Sequence, residues 1–430
     1  MAALSGLFYG INYMATDVDV QFFSHLNGLV LSNNWGDLIR LLDTCLVNGL
    51  PLTAITSATI DAQGDLNLSL YAEHKALLFQ VIELQGFVPA SINGKYRIKG
   101  TPDSKTLILK AELKGQAITT TGTAKLASLG YEIIFRDPND VKRVYRAKNP
   151  RTEHPFIRID ETISDGTNSY ASNYAKYAMV GLIENMTHID DYEDPSKLQL
   201  PLDPENPVKN WKISGTGTGV VRGWARWYSA SYNILANGFA DSNMTESGNR
   251  TFTLTGSKDC FYLLNAQDSQ TQFKDLKGCG LFKDSLDNSV IPNWFLMAFL
   301  TEASAGVSKS ARYSSPLTLS ENASSFLVVK YSPAAKLSPT DTALPIMMDY
   351  TTGTTLLNKF TANNVAALEI PFYDESKYLR GSLQYVYYAG KKASANTFTT
   401  PILADSSMYL WESITSDYKG GVYFYLGELE

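Results

Sequence analysis

At 430 residues the chain exceeds what one ordinary hydrophobic core serves, so about two to four domains are expected. Its 44% hydrophobic and 19% charged residues exclude a disordered chain. The formal charge of −6 is spread along the sequence with no basic stripe, which argues against nucleic acid as a partner.

The residue stock points to a mainly β protein, multidomain, built of β-sandwich or β-barrel modules with one short N-terminal helix. Tyrosines number 25 against 6 tryptophans, and Thr, Ser, Asn and Gly separate short apolar runs. Residues 1–50 read as an arm and that helix. Met1-Ala-Ala-Leu-Ser-Gly-Leu-Phe8 lacks the basic and continuous apolar regions of a secretory signal, so the protein is expected to be made and kept in a cytoplasm. Phe8, Tyr9, Tyr13, Phe22 and Phe23, set among Gly and Asn, predict an arm or edge strands that bury against something. The helix follows. Asn34 can cap it with Asp37 three residues on, Leu38, Leu41, Leu42, Cys45 and Leu46 share one face, and Gly49 sits past its end.

Residues 51–128 switch to period two, as in Tyr96 and Ile98 against Lys95, Arg97 and Lys99, with turns at Asn93-Gly94, Pro102-Asp103 and Gly115. A small antiparallel barrel or sandwich fits. Residues 129–273 form a middle β-rich domain that opens with a hairpin across Asp137-Pro138-Asn139-Asp140 and carries an acidic, Pro-rich surface loop at 187–210. Residues 266–285 read as a connection, and 274–430 as a C-terminal β-domain ending in the strand Gly421–Gly427. The longest apolar run, Trp294 to Leu300, falls far short of the ~20 residues a membrane span needs. No fixed repeat is present, which argues against a solenoid or propeller.

Little in the chain spells chemistry. Cys45, Cys260 and Cys279 are an odd number without CxxC spacing; Cys45 reads as a core residue and the other two as a reduced buried pair. His25, His74, His154 and His188 share no metal-ligand spacing and read as structural or surface residues. Gly215-Thr-Gly-Thr-Gly219 lacks the Lys-Ser/Thr of a P-loop and reads as a turn. Asp160 with Glu161, or the acids at 190–194, can serve a glycosidase or ligate calcium, but a solvated acidic loop is the plainer reading, and no cofactor or metal is expected. The aromatic groups Trp224, Trp227 and Tyr228, and Tyr385, Tyr387 and Tyr388, are the candidate binding residues. They suit a sugar-stacking platform or the anchor of a protein interface, although alternate aromatics in strands commonly fill a core.

The stretch Trp35-Gly-Asp-Leu-Ile-Arg-Leu-Leu-Asp-Thr-Cys-Leu-Val-Asn-Gly-Leu50 resembles a motif of tailed-phage and prophage virion proteins, in which such a helix precedes β-structure. His74, Phe87–Tyr96, Thr106–Leu109 and Thr121–Ala124 look like the small β-module of tail proteins. A looser likeness continues through Val144–Arg146, Phe156–Thr162, Tyr177–Glu184 and Leu379–Leu383, while the arm 1–20, the acidic loop and 300–365 depart from it. The resemblance brings no catalytic residues. It implies a non-enzymatic structural component of the virion tail or baseplate, assembled in the host cytoplasm, a homo-oligomer in a symmetric ring that bridges tail tube or baseplate to fibres. Left open are a tail protein that binds a receptor or host surface glycan, a head–tail connector or decoration protein, and a glycan hydrolase using Asp160 and Glu161.

Overall fold

The computed structural model describes residues 17–168, 172–216, 220–231, 244–266, 268–269, 274–285, 292–300, 326–331, 340–346, 367–388, 399–413 and 421–430. The protein is mainly β and is built of several antiparallel sheets with one short helix. Of the expected arm, residues 1–16 lie outside the described residues, and Gln21–Ser24 forms an edge strand on Phe252–Gly256.

The helix begins later than the cap residue Asn34 suggests. Asp37 reaches back to accept the Asn34 backbone N–H at 3.3 Å, but the Asn34 side chain turns to Ser32 Oγ at 2.7 Å, and left-handed Gly36 precedes the first turn. The α-helical winding Asp37–Leu42 continues as a wider π-type turn, Asp43–Asn48, before Gly49 at φ 73 ends it. Leu38, Leu41, Leu42, Cys45 and Leu46 are all buried, as their spacing requires.

The first sheet has the spatial order Leu50–Pro51, Thr123–Leu126, Val81–Gln85, Gly94–Asp103, Thr106–Lys110, Leu66–Leu70, Ile55–Ile60. Its two end strands, Leu50–Pro51 and Ile55–Ile60, are consecutive in the chain, so one short stretch of backbone serves both ends, as in a small barrel. Side chains alternate between a buried face (Leu66, Leu68, Ile98, Leu107, Leu109) and solvent.

The second sheet runs Tyr131–Arg136, Lys142–Ala147, Phe156–Asp160, Lys176–Ile183, Ala225–Ala230, Phe299–Leu300, with Gln199–Leu200 beside Lys176–Ile183. Its opening hairpin is held by Asp137, whose Oδ1 accepts the N–H groups of Val141 and Lys142 at 2.9 and 2.6 Å.

Among the described residues the third sheet contains 13 strands. It starts with Gln21–Ser24 and Phe252–Gly256, passes through Cys260–Ala266, Lys274–Leu281, Trp294–Met297, Phe326–Val329, Thr340–Pro345, Leu368–Asp374 and Leu379–Tyr388, and ends with Gly421–Glu428, Ser407–Ser413 and Thr400–Ala404. The sheet curls until its ends meet through side chains. Glu412 accepts Lys274 Nζ at 2.7 Å and the hydroxyls of Thr253 and Thr399, and Ser24 Oγ lies 3.2 Å from Thr399 Oγ1. Phe22, Tyr262, Phe295, Phe326, Phe372, Leu410 and Phe424 fill the interior. The outer side of the first half, with Phe23, Leu254, Phe261, Leu263 and Leu296, joins the helix and the first two sheets in one core.

Two sequence boundaries move. The division at 273/274 falls between Cys260–Ala266 and Lys274–Leu281, which are hydrogen-bonded neighbours, while Phe299–Leu300 pairs into the second sheet. Residues 274–281, read as part of a connection, form a strand with every residue buried. Its lysines disguised it. Lys274 is paired inside with Glu412, and Lys277 Nζ donates to Asn265 Oδ1 at 2.5 Å. Gly280, at φ 130, lies where a Cβ would come within 2.4 Å of the Asp259 carbonyl oxygen, so the strand needs glycine there.

Candidate binding surface

The first aromatic group belongs to the core. Trp227 is fully buried, donates its indole N–H to the Met297 carbonyl at 2.7 Å and meets Phe261 edge-on at 5.8 Å. Tyr228 is buried on the opposite face between Tyr177 and Phe299, at 5.0 and 5.2 Å between ring centroids. Only Trp224 is half-exposed, with the Lys209 ammonium 4.7 Å above its ring. These three do not form a platform, because the Ala225–Ala230 strand is covered on both faces and alternation there no longer separates core from solvent. The rings instead face buried cations. Arg222 lies between Trp35 and Tyr177 at 4.8 and 4.2 Å, and Arg226 sits over Tyr177 at 5.0 Å. Lys176 faces Trp35 at 5.4 Å, and burial brings its ammonium down to about 8.

The second group divides. Tyr388 is buried in the interior of the curled sheet, and Tyr385, left-handed at φ 60, packs against the same interior with its hydroxyl 3.5 Å from Ser257 Oγ. Tyr387 belongs to a different face. It joins Tyr409, Trp411, Tyr423 and Tyr425 in a contiguous cluster: Tyr387 to Tyr409 6.4 Å, Tyr387 to Tyr425 6.2 Å, Tyr409 to Tyr425 5.4 Å and Trp411 to Tyr423 5.9 Å.

The register builds this face. Tyr387 and Trp411 both stand opposite Tyr423, and Tyr409 opposite Tyr425, while the alternating Val386, Met408, Leu410, Val422, Phe424 and Leu426 point inward and are fully buried. Tyr387, Tyr409, Trp411 and Tyr425 are half-exposed. Burial pushes the Tyr387, Tyr409 and Tyr423 hydroxyls up, so all three stay protonated at neutral pH. Glu428 at the rim accepts Ser406 Oγ at 2.6 Å, Ser407 Oγ at 2.7 Å and the Tyr425 hydroxyl. Trp411 Nε1 is buried with no acceptor in reach among the described residues. Sequence reasoning found only Tyr387 of this cluster. In Val-Tyr-Phe-Tyr-Leu both phases of the alternation are apolar or aromatic, and nothing local marks the outer one.

The carboxylates do not converge. Asp160 and Glu161 are successive residues of extended chain and point to opposite faces. Burial raises the Asp160 carboxyl, but Arg158 at 3.1 Å and the Thr162 N–H at 2.8 Å outweigh it and hold the group below its ordinary value. Glu161 lies toward the helix, near the Ile39 backbone and Arg222; burial pushes it up to about 8 against the pull of Arg222 and of the Ile39 N–H.

In the acidic loop Asp190 pairs with Arg158 at 3.4 Å, and Asp191 accepts Lys197 Nζ at 2.6 Å and the His188 N–H at 3.0 Å. Arg158 is itself clamped between Tyr192 and Trp211, at 4.5 and 4.3 Å. Among the described residues no three His, Cys, Asp or Glu side chains stand together as metal ligands. The four histidines are dispersed: His154 Nε2 is 2.8 Å from Asp259, His74 Nε2 is 3.0 Å from the Asp103 carbonyl oxygen, His25 Nδ1 is 3.2 Å from the Phe252 carbonyl oxygen, and His188 is exposed. All three cysteines are free and buried; Cys279 stands opposite Phe261, which puts it on the other face from Cys260. Of the Gly-rich run, 217–219 lie outside the described residues, and the flanking Ile213–Ser214 and Val221–Arg222 pair as a short hairpin.

A recess of about 520 Å³ opens between the Asp137–Asp140 turn and the acidic loop, with Phe135, Val141 and Ile189 on its walls and Arg136, Lys142, His188 and Asp190 around them. Arg136 is tied to Asp43 at 3.3 Å and Lys142 lies 4.0 Å from Asp190, so both cations already have partners.

No family model and no curated protein matches the chain. Among solved structures it is similar to the phage phi92 endosialidase, at 9% identity and a TM-score of 0.15, over 88% of this chain and 52% of that one. The chain thus spans about half the length of that structure, and a TM-score so low carries no argument about fold or activity.

Proposed function

We propose that the chain is a non-enzymatic structural component of a tailed-phage virion, most readily of the tail or baseplate, that works by holding contact surfaces on a rigid β-scaffold. The observation that carries this reading is the division of labour among side chains. Ionisable groups in the interior act as struts, as in Glu412 with Lys274 and Arg158 with Asp160, whereas the contiguous half-exposed cluster is aromatic and lies on the outer face of the last strands. The likeness of the helix motif Leu38–Gly49 to phage virion proteins supports the address. Immunogold labelling of purified particles, with an antibody raised against the full chain, tests it: label on the tail is expected, and particles devoid of the polypeptide end the proposal.

The aromatic face favours a second reading, a tail protein that stacks its rings on a host surface glycan. Binding of the full chain to immobilised host polysaccharide, lost in Tyr409→Ser/Trp411→Ser, separates this from a purely architectural role. Release of sugar fragments during the same incubation would contradict the non-enzymatic assignment.

A further inference from the structure

We infer that the strand Ile55–Ile60 is a self-association edge, on which two copies of the chain pair antiparallel about a two-fold axis at Ala58. The pairing would join their first sheets into one continuous sheet, and it holds whether or not the virion assignment does.

The strand closes one end of the first sheet and, among the described residues, is hydrogen-bonded on one side only, to Leu66–Leu70. Its outward backbone groups can be identified. Asp61 N–H bonds to Asp65 O at 2.9 Å on the inner side, and Tyr71 N–H to Ala54 O at 2.9 Å. Thr59 and Ser57 stand opposite Asn67 and Ser69. Antiparallel ladders alternate every residue, so the N–H and C=O groups of Ala58 and Ile60 point away from the sheet. That is a row of donors and acceptors ready for another strand.

A β-bulge between Ile55 and Ser57 irregularises the start of this edge, and Ser57–Ile60 beyond it keeps a regular register. Ile-Thr-Ser-Ala-Thr-Ile contains no charge and no proline. One outer strand of the second sheet, Tyr131–Arg136, carries Glu132 and Arg136, and one of the third, Thr400–Ala404, carries Pro401, whereas the other end of the third, Gln21–Ser24, is as free of charge and proline as Ile55–Ile60. Charges and proline are the usual guards against edge pairing. Ile55, Ala58 and Ile60 pack on the core but remain half-exposed along the open flank.

The occupant that fits is the same strand. With Ala58 on the axis, two methyl groups face each other on the core side, and each exposed Ser57 stands opposite the partner's Thr59, a hydroxyl pair that repeats on both sides of the axis. An isologous two-fold contact requires this self-complementarity, and no unmatched charge on the strand calls for a foreign partner.

Sedimentation of the full chain over a range of concentrations is expected to show a monomer–dimer equilibrium. Thr59→Lys, at an exposed position, sets like charges along the seam and is expected to raise the dimer dissociation constant at least about tenfold with an unchanged circular dichroism spectrum. Ser57→Cys/Thr59→Cys is expected to form a disulfide-linked dimer on mild oxidation, since residues opposite each other on non-hydrogen-bonded sites come within about 4.5 Å between Cα atoms. The native cysteines are buried and give no background. A wild-type chain that stays monomeric overturns the inference. So does a dimer indifferent to Thr59→Lys, or a double-cysteine variant that fails to cross-link.

Discussion

Glu161 and Arg97 show at the level of single residues how the interior handles charge. Glu161, with a folded value of about 8 against an ordinary 4.5, binds its proton more tightly folded than unfolded. Its contribution to stability is therefore complete below about pH 4.5 and is lost as pH rises through about 8, a slope of ~1.4 kcal/mol per pH unit. Urea titrations at pH 5, 6 and 7 should show Glu161→Gln flattening that slope; an unchanged slope would mean the carboxyl is solvated. Lys277, held down to about 8 by burial, acts only above this window, where stability rises with pH. Arg97 is fully buried and donates to the carbonyl oxygens of Asp17, Val20, Phe79 and Leu426, binding the arm and the last strand to the first sheet. Arg97→Met strands those acceptors, and its denaturant midpoint should reveal a loss of about 3 kcal/mol or more.

Among the elements, the seam of the curled sheet is the most exposed to test. Lys274 and Glu412 are all but inaccessible, and with Thr253 and Thr399 they join strands at opposite ends of the sheet order. Glu412→Gln leaves the ammonium buried without a countercharge and should cost about 3–5 kcal/mol, whereas Lys274→Met/Glu412→Leu should recover most of it. A double-mutant cycle in guanidinium reads the difference; equal losses in both variants would refute the coupling. The helix makes a gentler case. Its apolar face was legible because the residues at i, i+3 and i+4 fall on one side even where the winding widens to a π-type turn, but its start was not, since Asn34 uses its side chain on Ser32 and leaves the first turn to Asp37.

For the whole molecule, the prediction concerns assembly. At Asp17 the backbone N–H bonds to the Glu428 carbonyl at 3.0 Å, on the same strand that bears Tyr423 and Tyr425. On the proposed function, deleting 1–20 should block incorporation into particles, and normal tails containing the truncated chain would refute this. Tyr409→Ser/Trp411→Ser should cost less than about 2 kcal/mol in stability, because both rings are half-exposed, and on the proposed function it should abolish capture of virion proteins by this face. A pull-down of virion proteins with and without the substitutions measures that loss.

Local pattern alone determined that this chain is mainly β, that Leu38, Leu41, Leu42, Cys45 and Leu46 form one apolar helix face, that short strands between Leu50 and Leu126 pair antiparallel and that Asp137 turns a hairpin. Each depends on interactions within a few residues. Tertiary structure alone decided that Lys274–Leu281 is a core strand, that Trp227 and Tyr228 are interior, that Asp160 and Glu161 face apart, and that Tyr387 belongs with rings more than 20 residues away. A strand's outer and inner faces are set by what covers them, and in this protein the cover comes from other sheets.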